Sequence, residues 1–125
     1  MILGIGIDLV EVDRIRAAYE RFGERFLNRI LRRDERDYCL LHKLIAPHIA
    51  ARFAAKESIA KAFGTGIGHE LGWLDMEVGR KETGEPFAIL HGAGAHLLQK
   101  RGGTKVHISL SHTQAHATAM AIIEG

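Results

Sequence analysis

The sequence predicts an α+β fold with a mainly antiparallel sheet. Three features lead there. Apolar residues alternate with period two near both ends of the chain. A central run rich in Ala, Lys and Glu has helical character. The elements also fall in the order β-α-α-α-β-β-α-β-β, without the strict strand–helix alternation of a parallel sheet.

Ile2 to Val10 alternates, with Leu3, Ile5, Ile7 and Leu9 on one face and Gly4, Gly6 and Asp8 on the other. The segment GIGIDLV therefore reads as a buried strand with an acid in its middle. From Glu11 to Phe22, Ile15, Ala18, Tyr19 and Phe22 recur at helical spacing, and Gly23 ends or interrupts that helix. Asn28 to Leu31 is ambiguous. Asp34 suits the N-cap of a short helix through about Leu44. Pro47 suits a first helical turn, Ile49 to Phe63 is made of good helix formers, and Gly64 follows as a stop. Trp73 to Val78 and Phe87 to Leu90 read as strands around a Thr83-Gly84 turn, and Gly92 to Arg101 as a short helix. Lys105 to Leu110 sets Val106, Ile108 and Leu110 against His107, Ser109 and Ser111. Ala115 to Ile123 is a last, alanine-rich strand.

The 125 residues are enough for one domain, read here as residues 1–125 with no internal repeat or linker. No apolar run could span a bilayer, and the N-terminus lacks the layout of a secretory signal. One cysteine, Cys39, allows no internal disulfide, so a cytoplasmic setting is expected. A net charge of +2 is too small to argue for nucleic acid, and no aromatics interleave the basic residues as a single-strand binder would need.

Bare backbone beside the Asp8 carboxylate suits close approach of a ligand or metal. The plain alternative is a strand-end acid turned to solvent or capping the next helix. A phosphate loop does not fit. Leu9 stands where G-x-G-x-x-G needs its last glycine, and His69 does the same after GTGIG. In RFAAKESIAKAF, Phe53, Glu57 and Lys61 share one helical face, and Glu57 and Lys61 have the favoured order for an ion pair. That is an ordinary surface pair, unless Glu57 is the second carboxylate that Asp8 would need to hold Mg²⁺. Water and phosphate oxygens would then complete the shell. The eight histidines lack zinc-site spacing. His107, Ser109, Ser111, His112 and Thr113 offer phosphate or ribose partners, or simply a polar outward face. Arg14, Arg21 and Arg25 share a face if the first helix continues past Gly23. That face either docks an acidic partner or is merely solvated, since acids are interleaved.

Taken together, GIGIDLVEVDRI and RFAAKESIAKAFGTGIG resemble the small bacterial holo-[acyl-carrier-protein] synthases, a type of 4′-phosphopantetheinyl transferase. TGEP (Thr83 to Pro86) and SLSHT (Ser109 to Thr113) follow in the family's order. The resemblance implies transfer of 4′-phosphopantetheine from coenzyme A to a serine of apo acyl carrier protein, with release of 3′,5′-ADP, as a step toward fatty acid biosynthesis. It implies Mg²⁺ as cofactor and a homotrimer with active sites between subunits. By motif match, Asp8 and Glu57 would hold the metal and Lys61 would contact the transferring phosphate. Arg52, Gly64, Pro86, His107, Ser109 and His112 would lie near the coenzyme. Glu57, directly or through a water, is the candidate base for the carrier serine; a water held by the metal is the alternative. The acidic carrier would suit the Arg14, Arg21 and Arg25 face. An alternating sheet would also leave an apolar face uncovered, which a trimer could close. Two rival readings are another Mg²⁺-dependent phosphoryl transferase and a non-enzymatic carrier-binding or nucleotide-binding module.

Overall fold

A computed structural model describes all of residues 1–125. The elements are β1 (Ile2–Glu11), α1 (Val12–Phe22), α2 (Glu24–Ile30), α3 (Arg33–Leu40), α4 (Ile45–Phe63), a 3₁₀ turn (Trp73–Asp75), β2 (Met76–Arg80), β3 (Pro86–Leu90), α5 (Gly92–Lys100), β4 (Lys105–His112) and β5 (His116–Glu124). The strands form two antiparallel sheets, one ordered β1-β5-β4 and one made of β2 and β3. The α+β expectation with antiparallel strands agrees with this, with the pairing divided between two sheets.

Four local expectations need correction. Gly23 takes φ 57°, ψ −131°, so the first helix breaks there and a separate α2 follows. Arg25 therefore does not continue the helical face of Arg14 and Arg21. The cap of α3 is Arg32, not Asp34: the Arg32 amide donates to the Glu35 carboxylate at 2.8 Å, and Asp34 lies in the first turn. The same helix ends at Leu40, short of Leu44. Trp73 to Asp75 turn as 3₁₀ rather than extending β2, because the Asp75 carboxylate accepts from the Gly72 amide at 2.8 Å and closes a tight turn.

The centre of the molecule is α4. It is buried nearly all round, at Ala46, Ile49, Ala50, Ala51, Ala54, Ala55, Ile59, Ala60 and Phe63 among others. Such a helix has no solvent face to pattern, which is why its sequence is alanine-rich rather than amphipathic. Its flanks reach two apolar clusters. One centres on Val12, Ile15, Leu27, Ile30 and Leu31, the other on Phe63, Leu71, Met76, Leu97 and Ile123. Each fully buried large side chain of this kind contributes about 1.5–3 kcal/mol. Gly64 ends α4 in the left-handed conformation, φ 77°, which strains any residue with a Cβ.

The two faces of β1 are used in the opposite sense to the buried-strand reading. Ile5, Ile7 and Leu9 are 58%, 61% and 67% exposed. The glycine face is the inner one. A Cβ on Gly4 would stand 1.9 Å from the Ala62 carbonyl oxygen, and one on Gly6 1.9 Å from that of Ser58. The room left by Gly4 and Gly6 is therefore taken up by α4. In β5, Ala117, Ala119 and Ala121 are likewise buried, while Thr118, Met120 and Ile122 stand opposite Leu9, Ile7 and Ile5. The alanines let the helix approach, and the larger residues join β1's outer face.

Candidate active site

Close seating of α4 on β1 brings its last turns to Asp8. The Lys61 ammonium donates to the Asp8 carboxylate at 3.0 Å and to the Ile7 carbonyl at 3.1 Å. The spacing in α4 predicts a Glu57–Lys61 pair; the structure puts the lysine on the strand instead. Asp8 is held from behind as well, since the Thr118 hydroxyl donates to its backbone carbonyl at 2.8 Å. The Asp8 side chain is 15% exposed and that of Lys61 51%, so the acid is sheltered and the base reaches solvent.

Glu57 completes the group. Its carboxyl is held above the usual carboxylate range, first by burial and then by the negative charge of Asp8; Lys61 and Arg14 pull the other way. Added positive charge at this place would favour the ionised form of Glu57. No three His, Cys, Asp or Glu side chains gather into a ligand set anywhere in the chain. Two carboxylates nevertheless fit what Mg²⁺ commonly takes from protein when phosphate oxygens supply other positions.

Of the remaining candidate residues, Gly64 adjoins this group, its amide donating to the Lys61 carbonyl at 3.0 Å. Arg52 is 1% exposed. It lines a cavity of about 320 Å³ with Tyr38, Arg80, Glu77 and Phe87. Its guanidinium stands 4.2 Å from the Tyr38 ring centroid, and Arg80 reaches the same ring at 5.3 Å. The Nε atoms of both arginines are buried without a hydrogen-bond partner. Paired, under-satisfied guanidiniums in a cavity attract an anion. His112 is exposed at the end of β4, with its ring 5.4 Å from that of His48. His48 in turn stacks on His42 at 3.6 Å and accepts Arg52 Nη1 on its carbonyl at 3.4 Å. Burial, then the neighbouring His42 and His112, lower the His48 pKa to about 4.

His107 and Ser109 face outward on β4, opposite Ile122 and Met120, and the His107 ring is 2.8 Å from the Glu124 carboxylate. That contact lowers the Glu124 pKa. Pro86 opens β3, half-buried, and Gly64 caps α4 in the open. One chain thus brings Asp8, Glu57 and Lys61 together with Gly64 beside them, sets Arg52 and His112 on either side of His48, and leaves Pro86 on β3 and His107 and Ser109 on β4. Arg14, Arg21 and Arg25 are all exposed. A cleft of about 320 Å³ between α1 and α2 is lined by Ala18, Phe22, Phe26, Arg25 and Arg29.

Sequence reasoning missed a second charged pair. Lys56 and Glu35 are both fully buried and meet at 2.7 Å. The signal was available: a lysine inside FAAKES, on a helix with alanine on every side, needs a buried anion.

Comparison with known proteins places this arrangement. The family model described as 4′-phosphopantetheinyl transferase superfamily matches residues 4–121. The chain is 48% identical over 124 residues to the holo-[acyl-carrier-protein] synthase of Koribacter versatilis, covering 99% of each protein. It is 47% identical over 120 residues to that of Chlorobaculum parvum, covering 96% of this chain and 97% of that protein. Among solved structures, it superposes on holo-[acyl-carrier-protein] synthase from Neisseria meningitidis with a TM-score of 0.93 at 33% identity, over all of both chains. For the Helicobacter pylori enzyme in complex with coenzyme A, the TM-score is 0.86 at 32% identity, over 96% of this chain and 99% of that one.

Proposed function

The chain belongs to the 4′-phosphopantetheinyl transferase superfamily, and from that premise we propose that it moves 4′-phosphopantetheine from coenzyme A to a serine of apo acyl carrier protein. The products are holo carrier protein, for fatty acid biosynthesis, and 3′,5′-ADP. The observation that carries this reading is the cluster of Asp8, Glu57 and Lys61 on β1 and α4: two coupled acids beside a solvent-reaching ammonium.

Asp8 and Glu57 would hold Mg²⁺, which when bound would supply divalent charge to the coenzyme's pyrophosphate. The protein's own residues do the rest. Glu57, with its raised carboxyl, takes the proton of the carrier serine directly or through a water, as that oxygen attacks the β-phosphate. Lys61 reaches from its place over Asp8 to the bridging oxygen. There it stabilises the charge that develops as 3′,5′-ADP leaves, and it can protonate the leaving group. The Arg52 guanidinium, whose Nε has no partner, suits an anionic group of the coenzyme, and Gly64, Pro86, His107, Ser109 and His112 make further contacts.

Residues 1–125 work as one domain, in a homotrimer with sites between subunits. Two facts support the trimer. The outer sheet face carries Ile5, Ile7, Leu9 and Met120 in the open, an apolar strip that association would cover. The candidate coenzyme contacts are also spread over α4, β3 and β4 of one chain, an arrangement that a second subunit would complete. Arg14, Arg21 and Arg25, with the Phe22–Phe26 cleft between α1 and α2, suit an acidic carrier that also has apolar side chains to bury.

The test is direct. Protein, coenzyme A, Mg²⁺ and apo acyl carrier protein are incubated, and the carrier is weighed by mass spectrometry. A gain equal to phosphopantetheine is expected; an unchanged mass would sink the reading.

A further inference from the structure

We propose that the buried Glu35–Lys56 ion pair is a positioning device for the site: it fixes the rotation and axial register of α4, and so the place of Glu57 opposite Asp8.

The need for such a device follows from the surfaces in contact. Where α4 meets the three-stranded sheet, Ser58 and Ala62 lie on Gly4 and Gly6, and the facing residues of β5 are Ala117, Ala119 and Ala121. Smooth surfaces packed on smooth surfaces gain burial but little direction, because apolar attraction does not depend on orientation. This face of α4 therefore adds little to the direction set by its other contacts, yet its catalytic side chain tolerates little displacement. Glu57 stands about 6 Å from the helix axis, so a rotation of about 20° moves its carboxylate about 2 Å. Displacement of about 1 Å in a catalytic group is enough to cost about 100-fold in rate.

The pair supplies the missing direction. The Lys56 ammonium donates to the Glu35 carboxylate at 2.7 Å, to the Ile30 carbonyl at 2.6 Å and to the Trp73 carbonyl at 3.2 Å. All three of its protons are used. Glu35 in turn accepts from the Arg32 amide at 2.8 Å and the Val78 amide at 2.9 Å. The end of α2, the start of α3 and the 3₁₀ turn therefore hold one atom of α4 directly, and β2 braces it through Glu35. That atom belongs to the residue immediately before Glu57. Stability alone is a poor reason for the pair. Apolar residues of like size often replace a buried ion pair without loss, whereas fixing register is a role such pairs are known to serve.

The proposal rests on the transferase reading for its assay, and one arm of the test does not need it. Glu35→Leu combined with Lys56→Met removes both charges at similar volume, and Glu35→Asp keeps the charge and both acceptor oxygens as a conservative control. The double variant is expected to melt cooperatively, to lose at least about tenfold in kcat, and to keep its KM for coenzyme A within about twofold. Glu35→Asp is expected to retain more of the wild-type kcat than the double variant, within about tenfold of wild type. In the crystal structure of the double variant, α4 should be turned or shifted so that Lys61 leaves hydrogen-bond distance of Asp8. A double variant with wild-type kcat, or with α4 unmoved, overturns the proposal. So does one that fails to fold, since the pair would then serve stability. Wild-type protein that transfers nothing would overturn the transferase reading instead, leaving the crystallographic arm to judge the pair.

Discussion

The ammonium of Lys61 lies 3.0 Å from the carboxylate of Asp8, joining the last turns of the central helix to the first strand across 53 residues of sequence. Neither residue is an element-mate of the other, and the contact exists because two glycines let the backbones approach.

Removing either partner should separate catalysis from folding. Lys61→Met should lower turnover about 10²–10³-fold, the usual cost of deleting one preorganised charge-stabilising donor, with an unchanged melting curve, since the side chain is half-exposed. Asp8→Asn and Glu57→Gln should abolish transfer and its dependence on Mg²⁺ together. Turnover against Mg²⁺ concentration, with calorimetry of each variant, checks this. Full Mg²⁺-dependent turnover in Asp8→Asn would remove Asp8 from the metal site.

Gly6→Ala should damage both stability and activity. The added Cβ would meet the Ser58 carbonyl oxygen at 1.9 Å, a backbone atom that cannot swing aside. A loss of about 1–3 kcal/mol or more is expected from such overpacking, read by urea unfolding, together with reduced transfer as α4 is pushed from Asp8. An unaltered midpoint would mean the strand–helix spacing is softer than it looks.

Reversing charge on the first helix should weaken one substrate only. Arg14→Glu with Arg21→Glu is expected to raise KM for acyl carrier protein at least about tenfold, while KM for coenzyme A moves little. Because Arg14 also lies close enough to act on Glu57, Arg21→Glu alone is the cleaner member of the pair. Equal effects on both Michaelis constants would argue against a docking face.

Acid should weaken the fold through His48. Its folded pKa is about 4, against 6.5 for the free group. Between those values the unfolded chain binds a proton that the folded chain refuses, so stability falls as the pH drops from about 6.5 toward 4. The refusal comes from burial and from the basic side chains facing the ring: His42, His112, Arg52 and Arg80. Unfolding midpoints of wild type and His48→Gln, compared over that range, should diverge from each other as the pH changes. Parallel curves would clear His48 of the effect.

Ile7→Asp should interfere with assembly. The side chain is 61% exposed in one chain, so the monomer tolerates the change, whereas a covered trimer face would not. Sedimentation at micromolar concentration should give a trimer for wild type and a smaller species for the variant. A wild type that sediments as a monomer would count against the assembly.

The fold was legible where periodicity is strong. β1, α1, α4, β4 and β5 sit within a few residues of their sequence expectations, because alternation and helix stops such as Gly64 are local signals. The errors fall where a distant partner decides. Arg32 caps α3 because Glu35 reaches back to it while also holding Lys56 and the amide of Val78. Nothing near Asp34 in the sequence reports that. The direction of β1 was misjudged for a similar reason: alternation gives two faces but does not say which one a helix will take. Asp8, Glu57 and Lys61 were legible as types and spacing, yet their pairing was not. Whether Lys61 meets Glu57 or Asp8 depends on how near α4 comes to β1.

The alternation of β1 has a further consequence for how the chain can vary. Even-numbered positions from Gly4 to Gly6 answer to a helix inside the molecule, and odd-numbered ones from Ile5 to Leu9 face out. Two kinds of selection therefore act on neighbouring codons. An error at an even site is felt by the folding chain itself, before any partner is met; an error at an odd site leaves a well-folded molecule with altered company. Sequence drift along this one strand should carry a two-residue rhythm, with steric tolerance near zero on one beat and exchange among greasy residues on the next.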